Sequence, residues 1–541
     1  MTIWNYGDLF KGIARKDPQR TALVHGETRT TWGEFHDRAN ALAADMLSAG
    51  MTHQSKVATY LYNCPAYLET TLGAWLGGFV PFNVNYRYGP DEVHYLCENA
   101  DAEAVVFHGA FAGLVDGIRG RLPMVKRFYM VPDEENSVVP SWALDYNDVA
   151  ARTAPDVTPG QPRSGDDMLF LYTGGTTGMP KGVMWRQADL FDVLGYGANA
   201  LFGVEPGASV QALIDRITPE WPNVASYIAC PLMHGTGQFS AFITLSTGGS
   251  IVTNPNRHFS AAELLDIVER EKANVIVIVG QAFAGPILEA LDASPGRWDL
   301  SSVRQMGSSG VMWSQENKNG LLEHIPQMAI TDSFGSSEAV GMGASVAVKG
   351  AAPTTAKFQL GPKCAVFTED GRRVQPGSGE RGLVAVGGAI PMGYYKDKAK
   401  SEATFRIFEG ERWTVPGDWA EVNEDGTLTL LGRGSVCINT GGEKVFPEEV
   451  EECLKTHPSV RDAVAVGIPD TRFGETICAV VEPSPGQNPG LQELSEHVKS
   501  RLAPYKAPRN VVIVDTIGRA PNGKVDYKRL KQHAMDTLGV K

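Results

Sequence analysis

The chain has 541 residues, too many for one ordinary hydrophobic core, so several packed units are expected. Hydrophobic residues make up 43% and charged residues 21%, the make-up of a soluble globular protein, which excludes wholesale disorder. Lysines and arginines number 49 against 62 aspartates and glutamates, and the net charge of −13 argues against a nucleic-acid footprint spread over the surface.

From the N-terminus, residues 1–20 show no apolar core of the kind a signal peptide carries. Apolar residues recur at helical spacing over 31–50, and Gly50 is a plausible stop. A strand is expected at 56–62, a helix at 66–78 and buried strands at 103–108 and 250–253. A helix over 260–272 then leads into a strand over 274–280. This alternation predicts an α/β fold whose large N-terminal domain is built of α/β subdomains with mainly parallel sheets. The longest apolar runs, such as Val275 to Val279, are far too short to span a bilayer. Seven cysteines with no C-x-x-C pair form neither a disulfide framework nor a zinc ribbon, and they point to a reducing, cytoplasmic setting.

Near Gly432 the texture changes. Helices over 447–457 and 491–502 and strands over 462–468, 476–482 and 510–515 make a compact α+β unit. Pro447 followed by two glutamates suits a helix N-terminus and its dipole. The division is expected between an N-terminal domain, 1–432, and a small C-terminal domain, 433–541.

Residues 171–185, LYTGGTTGMPKGVMW, follow an apolar strand and hold four glycines and one lysine. Backbone N–H groups of such a loop can converge on phosphate oxygens, with threonine hydroxyls and Lys181 as further donors. It is not a Walker loop, because Lys181 follows Pro180 and Gly182 stands where Ser or Thr would bind magnesium. GSGERG (377–382) formally matches G-x-G-x-x-G, yet it precedes a strand instead of opening a helix, so a turn is the better reading. Neither a G-x-S-x-G elbow nor an H-E-x-x-H helix occurs.

YTGGTTGMPKG (172–182) resembles the signature loop of the adenylate-forming superfamily, which holds acyl-CoA synthetases, peptide-synthetase adenylation domains and beetle luciferases. Further blocks resembling that family's occur in its order: LGAWLGGFVPFNVNYRY (72–88), PLMHGTG (231–237), GSSGVMWS (307–314), DSFGSSEAVG (332–341), VPGDWAEV (415–422), LGRGSVCINTGGEKVFPEEVEE (431–452) and RAPNGKVDYKRL (519–530). Together they cover nearly the whole chain.

The resemblance implies an ATP-dependent acyl-CoA synthetase with a mobile C-terminal domain. A carboxylate attacks the α-phosphate of ATP to give acyl-adenylate and pyrophosphate, and the thiol of CoA then displaces AMP. Such chemistry calls for charge stabilisation and exclusion of water more than for an acid–base pair. Lys524 would neutralise charge between carboxylate and α-phosphate. Glu338, with Thr173 as a weaker second, would hold Mg2+ on the ATP phosphates. Thr173, Gly174, Gly175, Thr176, Thr177, Gly178 and Lys181 would grip those phosphates. Ser309 and Gly310, then Ser333, Phe334, Gly335 and Ser337, would line the nucleotide. Asp418 and Arg433 would meet the ribose, His234 the acyl entrance, and Gly441 and Gly442 the pantetheine arm. The partners implied are a carboxylic acid, ATP and CoA, with no nucleic acid and no transmembrane segment, and a homo-oligomer is allowed.

Three positions depart from the family pattern. Ser435 stands at the hinge where Asp or Lys is usual, Ser337 replaces Thr, and Pro416 replaces the Thr before Gly-Asp. PKGVMWRQ (180–187) and residues 435–452 are similar to a subgroup of actinobacterial fatty-acyl-CoA synthetases that includes enzymes for steroid side-chain acids. Met312, Trp313, Phe239 and Val340 are compatible with a bulky hydrophobic acid there, and equally with a packed core. Two other readings share these features: an adenylation enzyme that loads a carrier protein, and a non-catalytic nucleotide or acyl-CoA sensor.

Overall fold

The structure, a computed structural model, describes residues 4–173, 179–199, 202–310, 313–350, 357–433, 438–440, 443–470, 474–502, 504–520 and 523–540. Structural statements below refer to these residues. Three sheets organise them.

In the first sheet, Met168–Thr173, Val80–Asn83, Lys56–Tyr60, Ala102–His108, Arg127–Val131 and Leu144–Asp145 lie side by side and parallel. Lys181–Arg186 folds back antiparallel on Met168–Thr173, and Gly393–Tyr394 pairs with its far side. The second sheet also has a parallel run: Thr21–His25, Ser250–Thr253, Ala225–Ile228, Val275–Ile278, Gln305–Ser309 and Ala329–Phe334. Every residue of the Ser250, Ala225 and Val275 strands is buried, as expected where helices cover both faces of a parallel sheet.

The expected helices form with small changes at their ends: Trp32–Ser48, Pro65–Leu76 and Ala261–Glu271. The first is closed by a capping box, Thr31 Oγ1 accepting from the Glu34 N–H and Glu34 Oε2 from the Thr31 N–H. The third buries Leu264, Leu265, Ile267 and Val268 on one face, the stripe its spacing predicts. The strand expected over 274–280 stops at Ile278, because Gly280, at φ +54°, starts the helix Gln281–Ala293.

Residues 343–433 add what periodicity left unread. The second sheet continues antiparallel through Gly343–Ala347, Lys357–Leu360, Thr427–Arg433, Asp418–Val422 and Arg381–Gly387, then Glu411–Thr414 and Phe405–Phe408. Its strands are short, and their small core is Ala365, Phe367, Leu383, Ala385, Trp413 and Val415. GSGERG is a turn there, with Gly377 and Gly379 at φ +72° and +71°, ahead of the strand Arg381–Gly387.

The third sheet begins at Ile438–Thr440 and is built on the long pair Val460–Asp470 and Gly474–Pro483. Alternation along Val460–Asp470 sorts its two cores. Ala463 and Ala465 face the helices Pro447–Lys455 and Leu491–Lys499, through Val450, Leu454, Leu494 and Val498. Val464, Val466 and Ile468 face the helix Tyr527–Leu538, through Leu530 and Ala534. Trp419 packs against Phe446 at 6.3 Å between ring centres, and Arg461 pairs with Glu289 at 3.5 Å, so this unit rests on the rest of the chain. Among the described residues no helix is long and apolar enough to cross a membrane.

Candidate active site

In an open α/β sheet the loops that leave the carboxyl ends of parallel strands gather on one edge, where ligands bind. Three expected segments leave such ends in the second sheet. Ala225–Ile228 runs into the loop that carries His234, Gln305–Ser309 ends at Gly310, and Ala329–Phe334 ends at the loop with Gly335, Ser337 and Glu338. Ser309 and Ser333 are directly paired in register. In the first sheet, Met168–Thr173 delivers the glycine loop at its carboxyl end, beside Val80–Asn83. Residues 174–178 lie outside the described residues, but both sides of the loop are placed, since Thr173 pairs with Lys181 across the hairpin.

Side-chain bonds join these loops. Trp185 Nε1 donates to the Ser337 carbonyl at 2.9 Å, and the Tyr394 hydroxyl donates to Glu338 Oε1 at 2.7 Å. Tyr394 in turn pairs with Val183 of the hairpin. Glu338 is therefore tied to the stem of the glycine loop through two aromatic residues. Lys181 Nζ forms an ion pair with Asp397, and that bond holds the Asp397 carboxyl below the usual carboxylate range. Ser336 Oγ is buried with no hydrogen-bond partner among the described residues, a hydroxyl beside Glu338 that a ligand could satisfy. Asp332, one residue before Ser333, is buried against Lys318 Nζ at 3.0 Å. Burial pushes the Asp332 carboxyl up, with Lys318 opposing that shift.

Asn83, Asn63 and Tyr394 were not singled out from the sequence. Asn83, 2% exposed, donates to the Tyr172 and Met233 carbonyls at 2.9 and 2.7 Å and accepts from the Tyr172 N–H at 2.7 Å. It bonds the stem of the glycine loop to the residue before His234. Asn63 accepts from the Leu232 N–H at 2.7 Å and donates to the Cys230 carbonyl at 2.9 Å, fixing the same loop from its other side. The available signal was a lone asparagine in the apolar run FVPFNV, where an unbonded amide would be costly.

His234 is half-buried and precedes the helix Gly235–Ser246. Burial, with smaller contributions from Lys524 and Arg87, pushes its pKa down to about 4. Lys524 itself is exposed, on a turn closed by the Ala520 N–H to the Lys524 carbonyl at 2.9 Å. A cavity of about 60 Å3 lined by Asn85, Arg87, Met233, His234 and Ala520 marks the seam between that turn and the His234 loop. Its size is far below the roughly 300–1,000 Å3 of a ligand pocket. Asp418 is buried at the head of its strand, after Gly417 at φ +104°, and is paired in register with Arg433. Gly441, Gly442, Ser435 and Met312 lie outside the described residues. Phe239 and Trp313 are buried and Val340 is half-buried. Trp185 meets Phe239 edge-on at 6.5 Å between ring centres, and Trp313 lies under Lys318 Nζ at 5.3 Å.

Burial lowers His25, His108 and His234 alike, each to about 4 from 6.5. Between those values the unfolded chain binds more protons than the folded one, so stability rises with pH through this window and falls on acidification. At about pH 5 unfolding is expected to take up close to three protons at these sites. The His108→Asn variant keeps an acceptor for the Tyr62 N–H, bonded at 3.1 Å to His108 Nδ1. It should flatten the pH dependence of the urea midpoint between about pH 4 and 6.5, and an unchanged slope would discard the assignment.

The model of the AMP-binding enzyme family matches residues 10–395, and that of the AMP-binding enzyme C-terminal domain matches 449–524. A medium/long-chain-fatty-acid–CoA/3-oxocholest-4-en-26-oate–CoA ligase of Mycolicibacterium smegmatis is 38% identical over 532 residues, 97% of this chain and 96% of that protein. A 3-oxocholest-4-en-26-oate–CoA ligase of Rhodococcus rhodochrous is 39% identical over 536 residues, 97% and 95% of the two chains. Among solved structures, an anthranilate CoA ligase with bound anthranoyl-AMP superposes with a TM-score of 0.84 at 21% identity, covering 100% of this chain and 99% of its own.

Proposed function

The chain belongs to the family of AMP-binding enzymes, and from that membership we propose that it is an ATP-dependent acyl-CoA synthetase acting on fatty or other bulky hydrophobic acids, steroid side-chain acids among them. It is an AMP-forming acid–thiol ligase. The acid's carboxylate oxygen bonds to the α-phosphorus of ATP as pyrophosphate leaves. The CoA sulfur then bonds to the acyl carbon as AMP leaves.

The observation that supports the site assignment is the cavity in which Ala520, from the turn that carries Lys524, meets Met233 and His234. There Lys524 would balance the charge that grows between carboxylate and α-phosphate. His234, neutral at ordinary pH, brings no competing positive charge to the acyl entrance. Lys181 and the loop 174–178 would hold the departing phosphates, the lysine exchanging Asp397 for phosphate oxygens. Asp418 and Arg433 would hold the ribose, and Gly441 and Gly442 would border the pantetheine arm. Glu338 and Thr173 fit Mg2+, an ion that keeps several waters and takes one or two carboxylates plus substrate phosphates. When bound it would draw charge from the β- and γ-phosphates. We divide the chain at 432/433, within one residue of the end of the large sheet's last strand in chain order, Thr427–Arg433, and ahead of Ile438, which opens the small sheet.

CoA-dependent AMP release with acetate, benzoate, dodecanoate, hexadecanoate and 3-oxocholest-4-en-26-oate tests the proposal. At about 0.8 kcal/mol per buried methylene, kcat/KM should be at least about 100-fold higher for dodecanoate than for acetate. Activity confined to acetate or benzoate would sink the bulky-acid assignment, and acyl-adenylate formed with no CoA-dependent second step would sink the acceptor.

A further inference from the structure

We propose that Arg519 and Asp462 form a clamp that positions the Lys524 turn for adenylation, a role that rests on the reading of Lys524 above. Arg519 Nε and Nη2 donate to the two oxygens of Asp462 at 2.6 and 2.8 Å, the bidentate geometry that gives a guanidinium both strength and direction. The third donor, Nη1, reaches the Gly523 carbonyl at 3.3 Å. That carbonyl belongs to the peptide leading directly into Lys524. The turn is closed by two more bonds, Gly523 N–H to the Ala520 carbonyl at 2.7 Å and Ala520 N–H to the Lys524 carbonyl at 2.9 Å, with Gly523 at φ +70°.

The pair is sealed and supported. The side chains of Arg519 and Asp462 are 11% and 13% exposed. Asp462 also accepts from the Ala463 N–H at 2.8 Å, on a strand paired along its length with Gly474–Pro483, the strand at the centre of the small sheet. Buried Glu451 lies behind them, accepting from the Ala465 N–H at 3.1 Å and the Tyr527 hydroxyl at 2.9 Å. A buried ion pair of this kind is weak evidence for stability, because well-packed apolar residues commonly serve as well. What apolar residues could not supply is a rigid donor aimed from the sheet at the turn. The Asp462 backbone is held in the ladder with Gly474–Pro483, while the Lys524 side chain is exposed. The clamp transfers the sheet's rigidity to the lysine's backbone.

Full-length enzyme with dodecanoate decides the matter through ATP–pyrophosphate exchange and through thioester formation from supplied dodecanoyl-adenylate and CoA. Arg519→Lys keeps the charge facing Asp462 but loses the fork, and Asp462→Asn keeps the shape but loses the anchor. Each is expected to slow exchange at saturating ATP and acid by about 10–100-fold, the scale of a 1 Å misplacement. Thioester formation should stay within about twofold of the unaltered enzyme. In a Lys524→Ala background Arg519→Lys should cost less than about twofold more, since a residue acting only through Lys524 has nothing left to position. Equal losses in both backgrounds, or equal losses in both half-reactions, would overturn the clamp and leave a structural pair. If Lys524→Ala alone leaves exchange within about tenfold of normal, the reading of Lys524 falls first and the clamp with it.

Discussion

Lys524→Ala is expected to slow acyl-adenylate formation by about 10²–10³-fold and to spare thioester formation from supplied acyl-adenylate. The carboxylate and the triphosphate repel each other, and the barrier rises as their oxygens approach. A cation fixed where both charges meet lowers that barrier more than it strengthens either ground state. The loss should therefore appear in kcat for exchange, with KM for ATP little changed, because Lys181 and the glycine loop remain to bind phosphate. In the second half-reaction the leaving group is a phosphate monoester already formed, so no approach of like charges remains for Lys524 to relieve. Parallel losses in both halves would mean that the lysine supports the fold or the docking of the small domain instead.

The sequence made legible whatever depends on local periodicity and on short motifs. The buried strands and the amphipathic helices stand close to where spacing put them, because a fully buried parallel strand and a one-faced helix leave strong patterns. The lobe formed by 343–433, apart from the strand after GSGERG, was invisible for the opposite reason. Its strands are two to seven residues long and many pair with distant partners, as Lys357–Leu360 does with Thr427–Arg433 and Gly393–Tyr394 with Lys181–Arg186, so no local period announces them. The same division runs through the site. Glu338 and Asp418 were singled out by motif, but Tyr394, which bonds Glu338 from 56 positions away, was not. Arg519 opens the block RAPNGKVDYKRL and still gave no sign of its partner, because Asp462 is 57 positions distant and the two meet only when the small sheet forms.

Asn83→Leu should be the most damaging change outside the reacting groups. The strands Val80–Asn83 and Met168–Thr173 pair in the ladder at Phe82 and Phe170, and beyond that point the Asn83 side chain stands in for the ladder. Its amide satisfies the Tyr172 N–H and carbonyl, and it also reaches the Met233 carbonyl. Leucine fills the same volume and bonds none of them. Three buried backbone groups then lose their partner, each at a cost of about 1–3 kcal/mol, so a loss of about 3–5 kcal/mol is expected after partial relaxation. The urea midpoint should fall accordingly with little change in slope. Activity should fall further than stability alone requires, by about 10²-fold at a temperature where the variant remains folded. Asn83 bonds the stem of the glycine loop to the His234 loop, and on the proposed reading Lys524 would address both. A variant with an unaltered urea midpoint would show that these backbone groups find other partners. One that is destabilised yet fully active when folded would show that the two loops keep their spacing without Asn83.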